Sequence, residues 1–368
     1  MGSSLAGFLL NFSLPGLGMA DNFDRSVGHP NYLIATTDRL GQHQIGQINA
    51  AGDIAYTAEM PSRRHAFAVN KRQGHILCVC RRPGKDIVVL HNEGDLHTVI
   101  TAKQGRHFYG HAVFCPNNRY LYTAENDYEQ ARGVIGVRDA DDHYRLVNEY
   151  SSQGVGPHEI ALSNDGKRLF IANGGVNTHP QTGRKKLNLA QMRSSLVVLE
   201  LSSGRLLKTA SLLPSQRYNS IRHLAVGQFD KVVVALQNQR AEDSVEVLLA
   251  SYDYESNTIR KLAIPDFIRQ RLKGYVGDIV YDQSERYFAA SAPRGNCVLV
   301  YQTSSGEFIA AVTVADACGL NASDRHGTFI VTSGTGKIIE LSVENNWFGK
   351  ELANHKDKQW DNHLQFNI

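Results

Sequence analysis

The chain has 368 residues, 42% of them hydrophobic and 20% charged, with 32 glycines and only 10 prolines. That length exceeds what one hydrophobic core usually fills, and the composition excludes a disordered chain, leaving two domains or one modular architecture. A formal net charge of +3 without a long basic run excludes nucleic acid as the main partner, the densest basic cluster, "GRKK" at 183–186, reading as a solvated loop.

At the N-terminus, Leu5 to Leu17 is an apolar run too short to span a bilayer, and Gly18-Met19-Ala20 has the small-x-small pattern of a signal-peptidase site. Residues 1–20 therefore read as an export signal cleaved near Ala20, which predicts a periplasmic protein. No other segment approaches the length of a transmembrane helix.

From residue 29 onward the chain repeats itself. "RRHAFAVNKRQGHILCVCRR", "YGHAVFCPNNRYLYTAEND", "GPHEIALSNDGKRLFIANGG", "IRHLAVGQFDKVVVALQNQ", "VGDIVYDQSERYFAASAPRG" and "CGLNASDRHGTFIVTSGTG" each give a polar strand start, an apolar strand, a turn and a second strand, followed by further strand-like runs. Four strands per unit predict β-propeller blades. The strand-start residues are His65, His111, His158, His223, Asp278 and Asn321, and "WDNHLQFNI" adds His363; the intervals are 46, 47, 65, 55, 43 and 42 residues. Blades of about 40–50 residues fit these intervals, the longest one holding an insertion, "VNTHPQTGRKKLNLAQMRS". At the N-terminal end "NYLIATTD", "HQIGQINA" and "DIAYTAEM" supply three strands without an innermost one. Residues 29–368 are thus expected to form one all-β, seven-bladed β-propeller, closed by pairing the C-terminal strand with these N-terminal strands.

Innermost strands line a propeller's channel, so their first residues face one another. The predicted ring holds His65, His111, His158, His223 and His363 with Asp278 and Asn321. Regular alternation turns Glu159 away from the channel, as it does Arg64 and Arg222, for which ion pairing between blades is favoured over anion binding. The second strands end on the ring face and place Glu125, Asn126 and Asp127, Asn173, and Gln237 with Asn238 at the rim. His107 and His179 lie on loops of that face, as outer ligands or plain loop histidines, while Arg106 and Tyr109 either orient an anion or pack between blades. Cys78 and Cys80 in "HILCVC" share one face of a strand and read as buried thiols; five cysteines leave at least one unpaired within the chain.

Neutral imidazole suits copper, zinc, nickel and iron, and a carboxylate adds charge neutralisation. The expected metal ligands are the five ring histidines and Asp278, with Glu125, Asn126 and Glu159 orienting the rings and a position left open for water or a small ligand. The same channel mouth suits a hydrolase in which Glu125 or Glu159 is the base and a ring histidine its partner. A non-catalytic interaction platform is the third reading.

The stretches "RHFYGHAVFCPNNRYLYTAENDYEQARGVIGVRD", "GPHEIALSNDGKRLFIANGGVNTHPQTGRKKLNLAQMRSSL" and "SIRHLAV" resemble an uncharacterised family of bacterial exported propellers, known only as a domain of unknown function. The resemblance covers nearly the whole chain after the leader. It implies a periplasmic role in iron uptake or metal handling, with metal-uptake proteins as partners, because members are often encoded beside imelysin-type proteins and carry a twin-arginine signal. This leader has no twin arginine. The "PHEIALSNDGKRLFIAN" rhythm is also similar to lactonase-like and YVTN-repeat propellers, and nitrous-oxide reductase sets the precedent for copper held by histidines around a propeller channel. A shared fold carries no function by itself.

Overall fold

The computed structural model describes residues 31–92, 94–240 and 247–367. The proposed export signal lies outside them. Seven four-stranded antiparallel sheets form the blades of a β-propeller. Blade 1 is built from both ends of the chain: the strand Lys358–Asn367 is innermost and pairs with Asn31–Asp38, followed by His43–Ile48 and Ile54–Met60. The expected closure is therefore present.

Blades 2 to 7 run outward from the innermost strands Arg64–Asn70, Arg106–Phe114, Pro157–Leu162, Asn219–Val226, Asp278–Tyr281 and Ala317–Ala322. Each innermost strand touches its counterparts in the neighbouring blades, closing the ring. The insertion of blade 4 leaves between Arg168–Asn173 and Ser195–Glu200 and carries two short 3-10 turns.

Position within a blade explains the sequence of each strand. The second strand of blade 2, "HILCVC", is buried at every residue because a blade stacks on both faces, so it reads as a continuous apolar run. The outermost strand, "LHTVIT", buries only Ile100 and mixes polar with apolar residues. Seven apolar clusters hold the ring together, one at each junction between neighbouring blades. Between blades 1 and 2, Leu33, Ile45 and Met60 meet Phe67, Ile76 and Val88. Each fully buried side chain of this kind stabilises by about 1.5–3 kcal/mol.

Turns set how closely blades approach. In the "SNDGKR" hairpin Gly166 has φ +66°, and a Cβ there would come within 2.2 Å of Pro116 Cγ in blade 3. Only glycine satisfies both conditions.

All five cysteines are buried and free. Cys78 and Cys80 do not share a face: Cys78 packs toward blade 1 and Cys80 toward blade 3. Cys80 is the last residue of its strand, opposite a bulge between Arg64 and Ala66 in the innermost strand.

Candidate functional site

Bulges position the channel residues. Six of the seven innermost strands break register at the ring: between Arg64 and Ala66, Phe108 and Ala112, Pro157 and Ile160, Ile221 and His223, Ala317 and Leu320, and opposite the Ile34 to Thr36 step of blade 1. A bulge re-aims side chains and lets two successive residues face one side. The result is five histidine rings converging on the axis. Centroid separations are 4.5 Å for His65–His363, 4.6 Å for His223–His363, 4.7 Å for His111–His363 and His158–His223, and 5.0 Å for His65–His111. All five are buried.

Two groups bring nitrogens within 4.8 Å of one another: His65, His111 and His158, and His111, His223 and His363. Burial, reinforced by charged neighbours, holds His65, His111, His158 and His223 well below the usual histidine value, so they are neutral, the form that binds a metal. For His363 burial acts in the same direction, but the Asp278 carboxylate, 3.3 Å from Nδ1, outweighs it and raises the ring's affinity for its proton.

Two carboxylates stand behind the second group. Glu159 Oε2 accepts from His223 Nδ1 at 3.0 Å and from the Leu224 amide at 3.1 Å, and its Oε1 lies 3.7 Å from His111 Nδ1. Asp278 Oδ2 accepts from the Leu320 amide at 3.1 Å while Oδ1 faces His363. Each carboxylate thus takes one amide from the next blade and one imidazole. The arrangement directs Nδ1 of His111, His223 and His363 toward carboxylates, and the buried Nε2 atoms of His111 and His363 have no partner. Burial pushes the Glu159 carboxyl up to about 8 and raises Asp278 as well.

Glu159 therefore points into the site, contrary to the alternation expected from sequence, because it shares a bulge with His158. His158 itself is engaged: its Nε2 accepts a short hydrogen bond from Arg222, whose other nitrogen donates to Gln237 Oε1 at 2.9 Å. Arg222 also occupies a bulge and turns inward instead of pairing between blades. Arg64 forms its ion pair inside blade 2, with Asp86 at 2.6 Å.

Other expected residues lie elsewhere. Asn321 is two residues past the bulge of blade 7, where Cys318 and Gly319 occupy the ring position, and its Nδ2 donates to the Leu364 carbonyl at 2.6 Å. Glu125 is fully buried within blade 3, held by Arg138 at 2.9 Å and Thr123 at 2.7 Å, which removes it as a candidate base or as a group orienting the ring. Asn126 holds His107 Nε2 at 3.1 Å, not a ring histidine, while His107 Nδ1 donates to the Phe108 carbonyl at 2.9 Å. His107 is thereby a peg for the insertion loop, which it meets at Thr178, and burial drops it to about 4. Asn173 Nδ2 donates to the Ser152 carbonyl at 2.7 Å, and His179 Nδ1 accepts from the Gln181 amide at 3.2 Å; both stabilise loops.

Sequence reasoning missed a collar of cations around the ring. Arg82 lies over the Tyr109 ring, 5.6 Å from its centroid, and the Tyr109 and His158 centroids are 6.3 Å apart. Arg294 lies 5.2 Å over Tyr275, whose hydroxyl accepts from Asn362 Nδ2 at 2.6 Å. Asp361 pairs with Arg63 and, at 3.4 Å, with Arg81. Arg63, Arg81 and Arg82 all come from blade 2, where the Arg81 amide donates to the Arg63 carbonyl at 3.0 Å, while Arg294 comes from blade 6, so it is the meeting of blades in space that completes the collar. A further group, His75, His91 and His97, gathers ligand atoms within 4.8 Å on the outer part of blade 2.

The model of a family described as "Protein of unknown function (DUF1513)" matches residues 58–366. Among solved structures the chain is similar to Kuenenia stuttgartiensis Hydrazine Synthase, at 12% identity and a TM-score of 0.65, over 91% of this chain and 99% of that one. At that identity the likeness shows the fold alone. No curated protein matches the chain.

Proposed function

The chain belongs to the DUF1513 family, and from that premise we propose that this propeller binds a transition metal, iron or copper, in its histidine-lined channel. One observation carries the reading: His111, His223 and His363 are buried with Nδ1 facing Glu159 or Asp278, the carboxylate–histidine arrangement that orients imidazoles toward a metal. The Nε2 atoms are the ligands. Four-coordinate binding at about 2.0–2.1 Å needs neighbouring nitrogens roughly 3.4 Å apart, so the rings draw together on binding. His65 caps the group, and a remaining coordination position is left for water or a small ligand. The cellular service proposed for it is periplasmic metal uptake, with uptake proteins as partners, a reading that rests on the family resemblance drawn from the sequence. X-ray absorption of the loaded protein tests the reading. An imidazole-dominated shell of three or more nitrogens supports it, and a shell of oxygen or sulfur alone sinks it.

A hydrolytic reading draws on a single feature, a Glu159 carboxyl that titrates near pH 8 beside His223. Lactone hydrolysis by metal-free protein, lost in Glu159→Gln, would favour it over metal binding.

A further inference from the structure

The arginines at the channel mouth are an unexplained cost. Arg222 is 6% and Arg82 9% exposed, and among the described residues neither pairs with a carboxylate. The Nε of each is buried without a hydrogen-bond partner. A guanidinium does not discard its charge to escape burial, so an unpaired buried one destabilises the fold unless an anion compensates it. Asp361, a carboxylate of the collar, is taken up by Arg63 and Arg81.

The two guanidiniums are placed for a ligand. Arg222 spans His158 and Gln237, and Arg82 lies across Tyr109, the ring next to His158. His158, which accepts from Arg222, has its ring 6.3 Å from that of Tyr109, and Tyr109 carries Arg82 at 5.6 Å, so the two cations stand on either side of one pair of rings. Arg184 and Lys186, from the blade 4 insertion, add positive charge felt at the same place. Lys186 is anchored by donating to the Gln239 carbonyl at 2.5 Å, which ties the insertion to blade 5.

We propose that the mouth of the histidine channel binds a small oxyanion or polycarboxylate between the guanidiniums of Arg82 and Arg222, against His158. A planar guanidinium grips carboxylate and phosphate oxygens in pairs, which supplies directionality as well as charge. The inference stands apart from the metal reading, since two buried cations need an anion whether or not the imidazoles below hold a metal.

The test uses the full chain, stripped of metal with chelator and exchanged into a buffer without oxyanions or carboxylates. Inorganic phosphate and citrate are titrated separately, by calorimetry and by thermal melting. The wild type binds at least one of them and its melting temperature rises with that anion. Phosphate alone identifies an oxyanion site and citrate alone a polycarboxylate site. Arg82→Gln and Arg222→Gln each weaken binding about tenfold or more, the loss of one charge-assisted contact, while Arg240→Gln, at an exposed arginine stacked on Tyr218, leaves it unchanged. In the anion-free buffer the two glutamine variants melt no lower than the wild type, because each removes an unpaired buried charge. A purely structural role gives the opposite result, a lowered melting temperature with undiminished anion affinity, and overturns the proposal. So does a wild type that binds neither anion. If a glutamine variant does not fold, lysine at the same position keeps the charge and reports the same loss of paired contacts. Anion binding without metal binding leaves this proposal standing and removes the metal reading alone.

Discussion

Replacing Glu159 by glutamine isolates the proton that the channel controls. Burial lifts the carboxyl from its ordinary 4.5 to about 8, so the folded chain keeps a proton that the unfolded chain has released. Across that window the folded state binds more protons, and linkage then requires stability to fall as pH rises. The contribution is fully present below about pH 4.5 and is gone once pH passes 8. The whole effect is roughly 4–5 kcal/mol, of which roughly 2–3 kcal/mol falls between pH 6 and 9. Glutamine keeps the shape and an acceptor for the Leu224 amide but has no proton to lose. Urea denaturation of metal-free wild type and Glu159→Gln at both pH values cancels every other titration the two proteins share. The variant should gain on the wild type by that amount at the higher pH. Parallel stabilities at pH 6 and 9 would refute a Glu159 that titrates inside the channel.

Asp278, expected from the sequence to be a metal ligand, instead faces His363 Nδ1 and takes the Leu320 amide, so Asp278→Asn should weaken metal binding about 10- to 100-fold in chelator competition without abolishing it, as loss of an orienting group does. Acid should destabilise the metal-free protein through its histidines: His65, His111, His158 and His223 are depressed in the folded state, so their contribution is present above the usual histidine value and is lost as pH falls toward their folded values. Denaturation of a His65→Gln variant should show a shallower loss below pH 6 than the wild type. Truncation after Asp357 removes the innermost strand of blade 1 and with it Trp360 and Leu364 of the blade 7 junction. The product should lose its cooperative melt and aggregate through the uncovered edge of Asn31–Asp38, as size-exclusion chromatography would show.

The fold was legible because each blade repeats a polar strand start, an apolar strand and a turn, and because His363 sits one blade length after Asn321. The histidines of the ring were legible for the same reason. Their surroundings were not, because side-chain direction within a strand is inferred from strict alternation and six of the innermost strands bulge at the ring. That is why Glu159 and Arg222, assigned outward, turn inward, and why Asn321 falls outside the ring. Glu125 misled for another reason: its position at a strand end on the ring face was right, but Arg138, thirteen residues on, captures it inside the blade. The approach of Arg82 in blade 2 to Arg222 in blade 5 left no signature, because it is created by ring closure and not by spacing in sequence.

Metal content decides whether the histidine channel holds an ion. Protein isolated without added metal, then loaded with iron or copper and dialysed, is measured by elemental analysis as wild type, as His111→Ala/His223→Ala/His363→Ala, and as His91→Ala to discount the outer cluster of blade 2. About one tightly held ion per chain should survive in His91→Ala and disappear in the triple variant. A wild type that retains no metal, or a triple variant that retains as much as the wild type, would contradict metal binding in the channel.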